Sequence, residues 1–533
     1  MPRRGLARVS RVAPKRLAAL LLPMLAAAAL FLWLRPPGPP ATPDSAAPAI
    51  AAGAAVHPAN FVGNAICADC HQSEAQAWSG SHHALAMQHA TPATVLGDFA
   101  DVRLEHGGEE AWFLRRGEDF FVRTTGADGR VADWQVSYTI GFEPLQQYLV
   151  AMPDGRIQVL PFAWDSRPLA EGGQRWYPMY EDRTPGGGDR LHWTGPYQNW
   201  NWMCADCHTT KLERGYDPRA DRFDTTWVEF NVGCESCHGP GSRHVQWAQD
   251  PGPSGTGTGN GLLQVLDERQ GVSWQADASG RPVRSRPAGR RAELEACAQC
   301  HARRVPLAPG MGHGGDFLQT HEVALLDRGL YFADGQQREE VYEVGSFMQS
   351  KMHAAGVTCS DCHEPHSGRL RAPGDAVCGQ CHAPSRYATP THTLHAPGGQ
   401  GSACVDCHMP ARAYMGVDLR RDHAMRIPTP AASAAVGAPD ACTGCHADRD
   451  ASWAEAQLHA AHGPDSSRWS GMAKAFGAAE IADPTSGAAL APMTVDPGLP
   501  AIIRATALSH LRTQLSPGNV GQVRAALADG DPM

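Results

Sequence analysis

Aromatic side chains are scarce in this chain: Phe, Trp and Tyr together make up 7% of its 533 residues, within a hydrophobic content of 42%. A side-chain core built from that inventory is thin for the length, so something other than side chains has to fill the interior. Charge of one sign is also lacking. The formal net charge of -9 is mild and spread along the chain, which argues against nucleic acid as a partner, since nucleic-acid binding usually leaves a basic patch or stripe. No long run of like charge marks a disordered interaction tail. Finally, no cysteine is left unpaired by the pattern described next.

The sixteen cysteines fall into eight Cys-x-x-Cys pairs, and a histidine follows each pair at once. In chain order, motifs 1 to 8 are Cys67, Cys70 and His71; Cys204, Cys207 and His208; Cys234, Cys237 and His238; Cys297, Cys300 and His301; Cys359, Cys362 and His363; Cys378, Cys381 and His382; Cys404, Cys407 and His408; and Cys442, Cys445 and His446. At this composition about 0.02 such strings are expected by chance. Cys-x-x-Cys-His is the attachment signature of c-type haem. Each thiol forms a thioether with a haem vinyl group, and the histidine becomes the proximal iron ligand. Zinc sites need no fixed histidine after each pair. A thioredoxin-like redox pair would occur once, and structural disulfides would not repeat one local spacing. The motifs therefore predict eight covalently bound haem c groups and their iron.

The N-terminus predicts export. Arg3, Arg4, Arg8, Arg11, Lys15 and Arg16 precede an uncharged apolar stretch from Leu17 to Leu34. That stretch has the length of a membrane span and exceeds a usual signal-peptide core, which favours an uncleaved anchor over cleavage near Ala47 to Ala52. The positive-inside rule places the rest on the periplasmic side of a bacterial inner membrane, anchored, or soluble in the periplasm if the segment is cleaved. Residues 35–60 read as a Pro- and Ala-rich linker.

Residues 61–447 read as the haem domain, with a multihaem cytochrome c fold that is mainly α and irregular and packed around haem. A small β-rich insertion is expected at about 100–165. There Ala111 to Arg123 and Val131 to Ile140 alternate apolar and polar residues around Gly126-Ala127-Asp128-Gly129. Arg156 to Trp164 follows the Pro153-Asp154-Gly155 turn as a further strand. Trp176, Tyr177, Tyr180, Trp193, Tyr197, Trp200 and Trp202 crowd the end of this stretch and are expected to pack against haem faces. Pro251 to Arg291 reads as a loop insertion with one weak hairpin around Trp274. Residues 448–533 read as an α-helical segment resembling the start of HEAT or tetratricopeptide repeats, with helices at Ser452 to Ala461, Ile502 to Leu515 and Val520 to Leu527. Such repeats would offer a site for a protein partner.

Seventeen histidines lie outside the motifs. A haem with a second histidine is closed and suited to electron transfer, whereas one without has a position where substrate can bind. Several stretches resemble the multihaem cytochromes related to hydroxylamine oxidoreductase, its tetrahaem electron-acceptor cytochrome and the pentahaem nitrite reductases. Motif 1 with Trp78, Ser81, His83 and Ala84 is similar to their first-haem pattern. Gly233 to Gly241 with His244 resembles their Cys-x-x-Cys-His-Gly-Pro-Gly segment. Val357 to His363 with Glu364, Pro365 and His366, motif 7 with Met409, Pro410 and the preceding His395, and Arg420-Arg421-Asp422-His423 before motif 8 resemble the same group. The motif order resembles octahaem members fused to C-terminal helical repeats.

The resemblance implies distal ligands at His83, His244, His366, His395 and His423, with His192, His321 and His353 as further candidates. His82 is the rival of His83, and His392 of His395. A helix from Trp78 to Met87 would carry His83 to a neighbouring haem. No motif ends in the lysine that ligates the catalytic haem of many nitrite reductases, and no tyrosine matches the cross-linking one of hydroxylamine oxidoreductase. The reading is therefore an electron carrier between quinone-linked partners and periplasmic cytochromes. The alternative is an oxidoreductase acting on a small nitrogen or sulfur compound at one five-coordinate haem, with no catalytic residue assigned.

Overall fold

A computed structural model describes residues 58–180, 185–250, 260–308, 313–464 and 468–533. The apolar segment from Leu17 to Leu34 and the linker after it lie outside the described residues, apart from the linker's last three. Among the described residues no helix is long and apolar enough to cross a membrane.

Nine strands follow motif 1: β1 Met87–His89, β2 Ala100–His106, β3 Glu109–Arg116, β4 Asp119–Thr125, β5 Val131–Gln135, β6 Tyr138–Ile140, β7 Leu145–Ala151, β8 Ile157–Asp165 and β9 Arg175–Pro178. They build two antiparallel sheets, of order β2-β3-β4-β5 and β1-β6-β7-β8-β9. The stretch from Ala111 to Arg123, expected as one strand, is split by a turn at Gly117, where φ is 64°. It is therefore a hairpin, because that left-handed conformation suits glycine and reverses the chain. Ser137 likewise parts Val131 to Ile140 between the two sheets.

The sheets share one aromatic core. Phe113 is fully buried and stacks on Trp176 with ring centroids 3.6 Å apart. Trp193 and Tyr148 complete the same cluster. For Trp176, Trp193 and Tyr177 this corrects the expectation that they line haem faces. Trp176 and Trp193 fill the space between strands, Trp200 packs on Met87, Leu149 and Val159, and Tyr177 lies against Val417. Tyr197 and Trp202 are exposed. Strand β8 is buried on both faces, and its second face meets Trp200 and Ala205 beside motif 2. The Asn201 carboxamide oxygen accepts the Ile157 N–H at 2.8 Å. The sheet is thus a platform that fixes motif 2.

Beyond motif 3 the expected hairpin is present, Trp274–Ala276 against Pro282–Arg284. From residue 359 to 446 the helices have four to six residues, as Pro and Gly dictate. Five helices close the chain: α1 Ala451–His462, α2 Arg468–Glu480, α3 Ser486–Met493, α4 Ala501–Leu511 and α5 Val520–Ala526. Trp469, Met472, Phe476, Leu490 and Ile502 from this segment form one core with Leu326, Tyr331 and Val341. The Thr506 hydroxyl oxygen accepts the Leu326 N–H at 3.1 Å. These helices therefore bury their apolar side on the chain between motifs 4 and 5.

Candidate haem-binding site

Motifs 3, 4 and 7 lie within the helices Cys234–His238, Ala292–His301 and Cys404–His408, and in motifs 1, 5, 6 and 8 the histidine N–H bonds the carbonyl of the first cysteine, closing one helical turn. One helical turn brings residues i, i+3 and i+4 to the same face, so both thiols and the histidine point one way. That is the geometry two thioethers and one iron bond require.

Six attachment histidines face a second imidazole across a gap. His71 faces His244 at 5.9 Å between ring centroids, and His301 faces His83 at 6.2 Å. His238 faces His366 at 6.4 Å, and His363 faces His423 at 6.5 Å. His408 faces His392 at 6.1 Å, and His446 faces His395 at 6.0 Å. Two imidazoles bound to one metal at about 2 Å each place their ring centres about 6 Å apart, so a haem iron fits between every pair. Among the described residues no three His, Cys, Asp or Glu side chains converge as a metal cage. Two axial ligands suit a metal whose other positions a porphyrin fills.

The outer ring nitrogens agree. His244 Nδ1 lies 2.7 Å from the Asn260 carbonyl oxygen, His395 Nδ1 2.7 Å from that of Thr393, and His423 Nδ1 2.9 Å from that of Arg421. His408 Nδ1 lies 2.5 Å from the Arg426 carbonyl and His208 Nδ1 3.3 Å from that of Ala86. A carbonyl only accepts, so Nδ1 carries the proton and Nε2 keeps its lone pair for a metal. His301 and His366 use carboxylates instead: Glu343 at 2.9 Å and Glu364 at 3.1 Å. Burial, aided by neighbouring histidines, holds His83 and His238 down to about 4, so both rings are neutral at neutral pH.

His83, His244, His366, His395 and His423 are thus each brought opposite an attachment histidine. His392, read as a rival of His395, takes its own partner. His192, His321 and His353 are not brought to such a position. His192 Nδ1 bonds the Thr194 hydroxyl at 2.7 Å, His321 stacks on Phe317 at 4.9 Å, and His353 meets Phe347 edge-on at 5.4 Å. His82 packs on Phe142 at 4.7 Å. The expected helix from Trp78 to Met87 stops at Ser79, because Gly80 caps it. Turns then carry His83, whose carbonyl accepts the Val232 N–H at 3.2 Å. His208 and His382 have no histidine ring opposite them at the spacing of the six pairs, among the described residues.

Side chains inside and beside the motifs tie them together, a role that motif spacing does not reveal. The Asn64 oxygen accepts the Cys234 N–H at 2.8 Å, and the Glu235 carboxylate accepts the Val62 and Gly63 N–H groups, joining motifs 1 and 3. The Glu293 carboxylate accepts the Ser360 N–H at 2.5 Å and its hydroxyl at 2.7 Å, joining motifs 4 and 5. Arg304 reaches Cys207 Sγ at 3.8 Å and Asp206 at 3.7 Å, and Cys207 Sγ lies 4.0 Å from the Cys300 carbonyl, joining motifs 2 and 4. The Asp375 carboxylate accepts the Cys404 N–H at 3.0 Å, joining motifs 6 and 7. Cys237 lies near Cys297 and Cys300, the Gln380 carboxamide donates to the Asp361 carbonyl at 3.4 Å between motifs 6 and 5, and Cys407 lies near Cys442 and Cys445. The Thr210 hydroxyl beside motif 2 pairs with that of Ser236 inside motif 3 at 2.8 Å, so motif 3 meets motifs 1, 2 and 4, motif 2 also meets motif 4, and motifs 4 to 8 follow in order.

Comparison with known proteins points the same way. The family model described as a doubled CXXCH motif matches residues 352–387, which hold motifs 5 and 6. The model for cytochrome c554 and c-prime matches residues 66–101 and 194–239, which hold motifs 1, 2 and 3. The crystal structure of the outer cell wall cytochrome OcwA is similar at 17% identity and a TM-score of 0.48, over 88% of this chain and 99% of that one. No curated protein sequence matches the chain. The attachment motifs and the two family models together identify the chain as a multihaem c-type cytochrome.

Proposed function

We propose that the chain carries eight haem c groups and transfers electrons along them, six of the eight being held between two histidines. The observation behind this reading is the set of six imidazole pairs on motifs that form one connected series. Haem supplies one-electron chemistry when bound, and two axial histidines leave no position on the iron for substrate. The residues of the chain keep those positions filled, fix ring orientation through the Nδ1 partners, and hold neighbouring motifs against one another. Export through the N-terminal segment would place the protein at the periplasmic face of the inner membrane, between quinone-linked donors and periplasmic cytochromes. Anaerobic titration with a low-potential reductant tests the reading. Eight electrons per chain should enter, and a partner cytochrome should withdraw all of them. Electrons confined to a subset of haems would contradict it.

A second reading has a specific observation in its favour. His208 and His382 lack an opposing histidine among the described residues, and Arg304 and Asp206 lie beside Cys207 of motif 2. An open iron there would suit reduction or oxidation of a small nitrogen or sulfur compound, as in the hydroxylamine oxidoreductase and nitrite reductase group that the motifs resemble. Nitrite, hydroxylamine and sulfite, each added to reduced protein, should perturb a high-spin absorption band. Protein whose bands none of them moves has no such site.

A further inference from the structure

Among the imidazoles that face one another, outer hydrogen bonds are not uniform. His244, His395, His408 and His423 meet backbone carbonyls, which carry only partial charge. His301 meets a full carboxylate, Glu343 Oε2, at 2.9 Å. His366 also meets one, Glu364 at 3.1 Å. However, that carboxylate also accepts the Ser367 N–H at 2.7 Å and the His366 N–H at 3.3 Å, so its charge is shared. The other groups near Glu343 are His423, whose Nδ1 is directed at the Arg421 carbonyl, and Arg420, which already pairs with Glu340 and Asp418, each at 2.7 Å. The charge on Glu343 is therefore directed at His301.

A carboxylate that accepts the Nδ1 proton pushes electron density through the ring to Nε2 and makes it a stronger donor to a metal. A stronger axial donor stabilises the ferric over the ferrous state and lowers the potential. Motif 4 also touches motifs 2, 3 and 5 through Arg304, Cys237 and Glu293.

We propose that Glu343 is a positioning residue that lowers the potential of the motif 4 haem, making it the lowest-potential site among the six histidine pairs. An electron then leaves motif 4 readily for a neighbouring motif instead of resting there. This inference rests on the reading that His301 and His83 ligate one iron.

Potentiometric titration followed by electron paramagnetic resonance tests it, on haem-loaded protein with its haem content measured. The low-spin component that His83→Ala converts to high-spin is the motif 4 haem, and in the unsubstituted protein it should titrate lowest of the six. Glu343→Gln should raise the midpoint of that component alone, and Glu343→Asp should return most of the shift. If the component sits above the others, or moves no more than they do in Glu343→Gln, the proposal is overturned. If Glu343→Gln fails to load haem, the position of the component in the unsubstituted protein still decides. If His83→Ala converts no component, the ligation reading itself has failed, and this inference with it.

Discussion

Replacing His83 with alanine is the sharpest perturbation the structure offers. His83 stands 6.2 Å from His301, and burial keeps its ring neutral and ready to bind a metal. Eight motifs with six facing pairs leave His208 and His382 without an opposing histidine among the described residues. His83→Ala should therefore raise the high-spin count from about two to about three irons per chain, and the low-spin signal should fall by about one sixth. The adjacent His82 packs on Phe142 and faces no attachment histidine, so His82→Ala should leave both counts unchanged. Quantitative low-temperature electron paramagnetic resonance on the oxidised proteins, with total haem fixed by pyridine haemochrome, reads the difference. An unchanged count in His83→Ala, or the gain in His82→Ala instead, refutes the assignment.

His392→Ala and His395→Ala should each add one high-spin iron, and the double variant two, by the same measurement; a single gain in the double variant would show that the two histidines compete for one iron. Phe113 is fully buried and stacked on Trp176, so Phe113→Ala should cost about 3–5 kcal/mol and lower the urea midpoint of the β-rich region by circular dichroism, with haem spectra unaltered. Asp133 is held down from 3.8 to about 2 by hydrogen bonds from Arg123 and Arg116. Its contribution is full above about pH 4 and lost as pH falls towards 2, so Asp133→Asn should flatten that acid limb, and an unchanged limb would exclude the pairing. His192→Ala, His321→Ala and His353→Ala should leave the low-spin count as it is.

The attachment sites are legible in the sequence because covalent chemistry confines them to five consecutive residues. Ligand pairing is far less so. His83 meets His301 and His423 meets His363 through long-range folding that no local spacing encodes. His392 and His395 look like rivals because they lie three residues apart. Leu394 between them has φ 61°, a left-handed turn that ends the Pro390–Thr393 helix and sends the two rings to different motifs. The place of Trp176 and Trp193 is hidden from the sequence for a related reason. Composition suggested a core too thin to stand without haem, but strand pleating concentrates Phe113, Tyr148, Trp176 and Trp193 in one cluster. The carboxylates of Glu235, Glu293 and Glu343 gave no sequence signal, since acidic residues beside a motif read as surface until the fold supplies their partners.

One measurement bears most directly on the account: the spin-state census of the oxidised, fully matured protein. Pyridine haemochrome against protein mass should give eight haems per chain, and electron paramagnetic resonance should divide them into six low-spin and two high-spin irons. Six or fewer haems, or a low-spin count well away from six, would contradict the pairing of histidines on which the electron-transfer reading rests.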